Sequence, residues 1–252
     1  MNTGEVCWNR GGSMFRKIFV ILGALLLTVA GFGSLSLAKG KATESPHVRI
    51  PLNIAILIQD DLTSQVGNEL GVTKNFIRSL PAGSRVMVGY LRAGSLDVRQ
   101  PFTSDVNAAA NSLRIPIADA SAAPFNPYVE VIEALKKFDS TWSGPKTILL
   151  ISDGLDVSRG FDSTAAGHTI DIDRAIKEAN QRNVAIYSFY APSVGLTSVN
   201  TVASAYGQSS LNRVSHETGG VAFFQGTTGF VTFDSYFDRL RTALNRQYAT
   251  AS

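Results

Sequence analysis

The sequence predicts an α/β protein: a Rossmann-like, doubly wound, mostly parallel central sheet with helices on both faces and one antiparallel edge strand. Three observations predict it. Strand-like and helix-like segments alternate from residue 53 to the end, the order that builds a parallel sheet through crossover helices. "NIAILIQ" and "KTILLIS" are apolar on both faces, as strands covered on both sides must be. The length of 252 residues, with 44% hydrophobic and 17% charged content, suits one globular domain with a short appendage.

The appendage comes first. "MFRKIFVILGALLLTVAGFGSLSLAKG" sets Arg16 and Lys17 before an apolar run from Ile18 to Phe32, then Ser36 and Ala38 at cleavage spacing. This is the layout of a secretory signal cleaved after Ala38. The rival is an uncleaved anchor, because residues 18–37 supply the roughly 20 residues that a span needs. The short apolar core and its Gly-Ser-rich end favour cleavage, so the expected location is periplasmic or secreted. A membrane anchor through residues 18–37 is the alternative, and membrane contact is expected only in that form. Met14 marks the expected start, which makes residues 1–13 an extension. Cys7, the single cysteine, falls there. The exported domain therefore has no disulfide and no thiolate chemistry, and its stability must come from its core.

Residues 39–52 read as a polar lead-in and 53–252 as a single domain. Its first strand, Asn53–Gln59, is followed by a helix over Val66–Leu80, where Val66, Leu70, Val72, Phe76, Ile77 and Leu80 fall near helical spacing and "LPAG" stops the run. Arg85–Leu91 is a strand, and "GSLDVRQPFTSD" gives a turn and an edge strand. Asp105–Leu113 is an alanine-rich helix opened by Thr103, Ser104 or Asp105. Asn126–Phe138 is a helix with Pro127 in its first turn. "KTILLIS" is a strand, Ile170–Arg182 a helix and "VAIYSFY" a strand. A helix over Leu211–Thr218 ended by Gly219, a strand at "VAFF" and a helix over Phe233–Gln247 complete the pattern.

Charge excludes some partners. Of the net +3, residues 1–38 carry +2, leaving 20 basic and 19 acidic residues with no clustered basic run. Neither nucleic acid nor an anionic membrane surface is an expected partner.

In open α/β sheets ligands bind at the carboxyl ends of strands. Two such ends deliver acids, "LIQDDLTS" at Asp60 and Asp61 and "LLISDGLD" at Asp153 and Asp156, and carboxylates with hydroxyls suit a hard cation. The order of "NIAILIQD", a helix opening at Gly67 to Leu70, "GSRVMVGYLRAG", "RQPFTSD", "KTILLISDG", "VAIYSFYA" and "ETGG" resembles a von Willebrand factor A (VWA) domain of the bacterial VWA-related kind, over nearly all of residues 53–247. The resemblance implies an adhesion module whose metal site uses Asp-x-Ser-x-Ser, a later Thr and an Asp before Gly. It places metal ligands at Asp60, Ser64 and Asp153. Leu62 stands where the first Ser would be, and residues 122–139 lack Ser and Thr at the expected Thr position, so the site is degenerate. The expected cofactor is none, or weakly held Mg²⁺ or Mn²⁺.

The expected partner is a protein or other macromolecule at the cell envelope. The contact residues named for it are Asp60, Asp61, Leu62, Ser64 and Asp153, with Tyr206, Gln208 and Asn212 from the polar stretch "AYGQSSLNRVSHETGG". An enzyme is the competing class: "DDLT" is similar to the loop of haloacid-dehalogenase-like phosphatases, with Asp60 as nucleophile, but Leu62 replaces the second Asp that would serve as general acid. A non-binding envelope scaffold is the third reading. A second cation site at Asp156, Asp162, Asp171 and Asp173 is outweighed by the ordinary preference for acids at a helix start. His47, His168 and His216 read as surface or hydrogen-bonded histidines, not catalytic ones.

Overall fold

In the computed structural model, which describes residues 47–161, 169–226 and 232–248, Asn53–Gln59 form β1 with every residue buried. The signal-like segment, Cys7, Asp162 and His168 lie outside the described residues. A run buried on both faces has to sit in the middle of a sheet, and β1 does. It pairs in parallel with β2 (Arg85–Arg92) on one side and β4 (Lys146–Ser152) on the other. Beyond β2 lies β3 (Ser95–Thr103), the antiparallel edge; beyond β4 lie β5 (Val184–Tyr190) and the two-residue β6 (Ala222–Phe223), giving the order β3-β2-β1-β4-β5-β6. Asn53 is in register with both Arg85 and Lys146, so the carboxyl ends of the central strands are level. Strand order reverses between β1 and β4, which makes their carboxyl ends the topological switch point.

Alternation along β1 assigns the two cores. Ile54, Ile56 and Ile58 face one layer, built from α1 (Gln65–Asn68), α2 (Leu70–Arg78), α3 (Val106–Asn111) and α8 (Asp234–Tyr248). There Phe76 stacks on Phe237 with centroids 4.7 Å apart. Ala55 and Leu57 face the other layer, built from α4 (Pro127–Leu135), α5 (Ile170–Gln181) and α7 (Thr201–Glu217); the short α6 (Leu196–Val199) precedes α7. No helix among the described residues is long and apolar enough to cross a membrane.

Two elements differ from expectation. The helix expected over 66–80 breaks at Glu69, whose N–H returns to Val66 O three residues back (3.1 Å) and tightens the chain between α1 and α2. The helix expected at Leu211 begins ten residues earlier, capped by the Asn200 side chain on Val202 N and Ala203 N. Its first half buries small residues, Ala203, Ser204, Gly207 and Ser210, so no apolar stripe announces it.

Candidate functional site

Gln59 closes β1 and bonds with both ends of its amide. Its Nε2 donates to Asp61 Oδ1 (2.7 Å), and its Oε1 accepts from Ser152 Oγ (2.5 Å) and Asp153 N (3.1 Å). One buried side chain thus joins the ends of β1 and β4 across the switch point. Asp153 Oδ1 accepts from Leu155 N and Oδ2 from Thr197 Oγ1, both at 3.1 Å. The loop after β5 is bonded to the same place: Leu62 forms a β-bridge with Ser193, and Val194 N donates to Asp61 O (2.9 Å).

Asp60 has a different environment. Arg114, in the loop after α3, forks onto it with Nη1 to Oδ1 at 2.6 Å and Nη2 to Oδ2 at 2.8 Å. Ile117 N adds a bond to Oδ1 (3.1 Å), and Ala118 N donates to Asp60 O (3.0 Å). The guanidinium lies 4.0 Å over the Tyr90 ring, whose hydroxyl donates to Arg114 O (2.5 Å) and accepts from Arg114 N (2.8 Å). The bond to Asp60 raises the Arg114 pKa above its ordinary value.

Three carboxylates therefore converge on one end of the sheet, with the Arg114 guanidinium beside them. Burial raises the Asp153 carboxyl above the usual range. Burial first, and the neighbouring Asp153 second, push Asp61 from 3.8 to about 6. Between those two pH values folded Asp61 keeps its proton while the unfolded chain has lost it. Its contribution to stability accordingly falls as pH rises from about 4 to about 6, by about 3 kcal/mol in all. Asp61→Asn is expected to remove that part of the slope and to be the more stable protein above pH 6. Urea denaturation of both proteins at both ends of the window checks this, and parallel profiles would refute it.

The resemblance to metal-dependent adhesion sites can be tested on these atoms. Both Asp60 oxygens hold a guanidinium. Leu62 is fully buried in the core with Ile58 and Val66, so its assignment as a partner contact is corrected: the chain turns there into the hydrophobic layer. Ser64 is exposed at the start of α1 and its hydroxyl makes no cap bond. No group of three or more His, Cys, Asp or Glu able to hold a metal occurs among the described residues. As folded, these residues do not fit a divalent cation.

The acids proposed for a second cation site are used locally. Asp171 pairs with Arg174 and accepts from Asn126 Nδ2, Asp173 pairs with Arg213, and Asp156 accepts from Ser158 N.

Helix α7 carries the polar stretch as far as Glu217. Gly207 meets the Asp153 carbonyl, which puts Tyr206 and Gln208 beside the site. Gln208 is buried and bonds Gly226 O (2.7 Å), and Tyr206 is half-buried with its ring against Phe161. Asn212 is exposed but about 7 Å further along the helix axis, toward the amino end of β5.

What the sequence reading missed is apolar. Ile115 (60% exposed) and Ile117 (44%) flank Arg114's anchor on Asp60, and Val194 (37%) hangs from Asp61. Phe125 is 55% exposed at φ 59, the centre of a tight turn in which Asn126 N returns to Pro124 O (2.7 Å), and its own carbonyl accepts from Val157 N in the loop after β4. A bulky residue with positive φ stores strain of order 1 kcal/mol and presents its ring to solvent. No local pattern in "APFNP" signals this, because the conformation is imposed by the capped start of α4 and the bond to Val157.

No family model matches the chain, and no curated protein matches it in sequence. Solved structures do match in shape. The conserved hypothetical protein BatB from Bacteroides thetaiotaomicron is 12% identical with a TM-score of 0.54, covering 80% of this chain and 100% of its own. An aerotolerance-related membrane protein from Bacteroides fragilis NCTC 9343, carrying multiple mutations to serine, is 13% identical with a TM-score of 0.51, over 79% and 100%. Proximal thread matrix protein 1 from the mussel byssus is 12% identical with a TM-score of 0.52, over 80% of this chain and 48% of its own. At these identities the likeness is one of fold.

Proposed function

Because this chain has the VWA-type α/β fold, and because exposed apolar side chains stand on the loops around its switch point, we propose that it is a binding module, not an enzyme, that engages a protein partner through this rim. The observation that carries the reading is Phe125, large, exposed and held at φ 59 beside the loop after β4. Exposed apolar residues scattered singly need no explanation, whereas Ile115, Ile117, Phe125 and Val194 gather on loops bonded to neighbouring strand ends. Aromatic and aliphatic anchors of this kind supply most of the affinity at protein interfaces.

A photo-crosslinking amino acid at Phe125, Ile117 or Val194, introduced in the native host, is expected to trap one and the same discrete partner. The same probe at Asn183, at the amino end of the sheet, should trap none. Phe125→Asn separates stability from function. Asparagine tolerates positive φ, so the variant should be up to about 1 kcal/mol more stable while the crosslink at Val194 is lost. An unchanged crosslink in Phe125→Asn, or none at any rim position, would count against the reading, the latter in favour of a scaffold.

The hydrolase alternative has less support: its nucleophile would be Asp60, whose oxygens are both engaged by Arg114, and its acid position is the buried Leu62. An envelope setting belongs to the proposal. The layout of residues 14–38 and the Bacteroides membrane protein among the neighbours support it. A mature terminus at Lys39 in mass spectrometry of the exported protein is the expected result, and retention of residues 18–37 would mark the anchored form.

A further inference from the structure

We infer that Arg114 is the resident cation of this rim: its guanidinium does for Asp60 what a divalent ion does in a metal-dependent adhesion site, so the rim is assembled without metal.

Asp60, Asp61 and Asp153 are all buried at the end of β1 and β4. A buried carboxylate without a cation or a proton is strongly unfavourable. Asp61 and Asp153 are surrounded by amide and hydroxyl donors, whereas Asp60 is met by a planar fork matching both of its oxygens, the geometry in which arginine binds carboxylates best.

Arg114 is also held by groups other than Asp60. Tyr90 clamps its backbone through two hydrogen bonds and supports the guanidinium with its ring, and Ile115 O accepts from Nη1 (3.1 Å). Asp97 lies 3.7 Å from Nη2. A divalent ion competing for Asp60 would have to expel a pre-positioned cation and displace Ile117 N from Oδ1 as well. A metal site takes its cation from solvent; here the cation is part of the loop that displays Ile115 and Ile117. Resting on the binding reading above, this means that the same ion pair that neutralises Asp60 fixes the apolar contacts.

The test uses the full chain and the metals themselves, so it is independent of any partner. Thermal unfolding and calorimetry are run in chelator and with Mg²⁺, Mn²⁺ or Ca²⁺. The wild-type melting temperature is expected to agree within about 1 °C across these conditions, with no saturable heat. Arg114→Ala leaves the three acids without this guanidinium, and should melt about 10 °C lower in chelator. Divalent metal should then recover several degrees of that loss, in a response abolished by adding Asp60→Asn. If Arg114→Ala does not fold, Arg114→Gln, which keeps the packing over Tyr90 without the charge, carries the same comparison. Saturable metal binding by the wild type that is lost in Asp153→Ala would overturn the inference. So would an arginine-less variant that is as stable as the wild type or indifferent to metal. A failed crosslink with an intact metal result would sink the binding reading and leave this one standing.

Discussion

Gly207→Ala is expected to be among the most damaging single-methyl changes in this protein, although alanine in a helix interior ordinarily stabilises by about 1 kcal/mol relative to glycine. A Cβ built at Gly207 falls 1.9 Å from the carbonyl oxygen of Asp153 and 3.1 Å from its carbonyl carbon. Both are backbone atoms at the end of a central strand and cannot rotate away. The facing residue, Gly154, has φ 69, and a Cβ there would meet Gly207 O at 2.5 Å. Helix α7 therefore rides directly on the turn that positions Asp153, and a methyl group between them must push the helix off. A loss of about 3–5 kcal/mol is expected, in the range of severe overpacking. Gly71→Ala is the control, since it lies in α2 with nothing within 4 Å of its Cβ. It should gain up to about 1 kcal/mol. Urea unfolding of the two variants beside the wild type measures both, and equal midpoints would show that α7 does not bear on the turn as closely as described.

Leu62→Ser is the second large effect, and its direction separates motif from structure. In sequence it restores the Asp-x-Ser-x-Ser pattern around Asp60 and Ser64. In the fold it replaces a fully buried side chain of the core cluster with a small hydroxyl. The expected outcome is a loss of about 3–4 kcal/mol from the removed apolar volume and the cavity left behind, with no gain in metal affinity while Arg114 occupies Asp60. Calorimetry with Mg²⁺ and a denaturant midpoint decide it. Retained stability together with saturable Mg²⁺ binding would mean that the rim is a metal site impaired by Leu62.

The architecture was legible because its cause is local. Five consecutive apolar residues, Ile54–Ile58, have to be covered on both sides wherever they occur, and the 3.6-residue stripe of Phe76, Ile77 and Leu80 has to face a sheet. The central strand positions followed from such runs, and the edge at β3 from the turn that opens "GSLDVRQPFTSD". Where burial used small residues the signal vanished: Ala203, Ser204 and Gly207 lie against the sheet without forming a hydrophobic stripe, and half of α7 was read as a polar rim.

Of the site, the three acids at two strand ends were legible, because open parallel sheets place such ends together. Their meaning was not. Asp60 and Arg114 are 54 residues apart, and nothing in "NSLRIP" distinguishes a plugging arginine from a solvated one. Leu62 reads as a broken ligand in the motif and as a core residue in the structure. Phe125 is unremarkable in "APFNP" until the turn holds it at positive φ.

By itself the sequence determined the class of fold, the order of its strands and helices, and the end of the sheet at which carboxylates collect, since hydrophobic periodicity acts over a few residues at a time. Only the tertiary structure decided which charge meets which, and which apolar side chains remain exposed. Those outcomes depend on contacts between segments brought together by the whole sheet, and the free energy of an ion pair or an exposed ring is set by the neighbours it finds there.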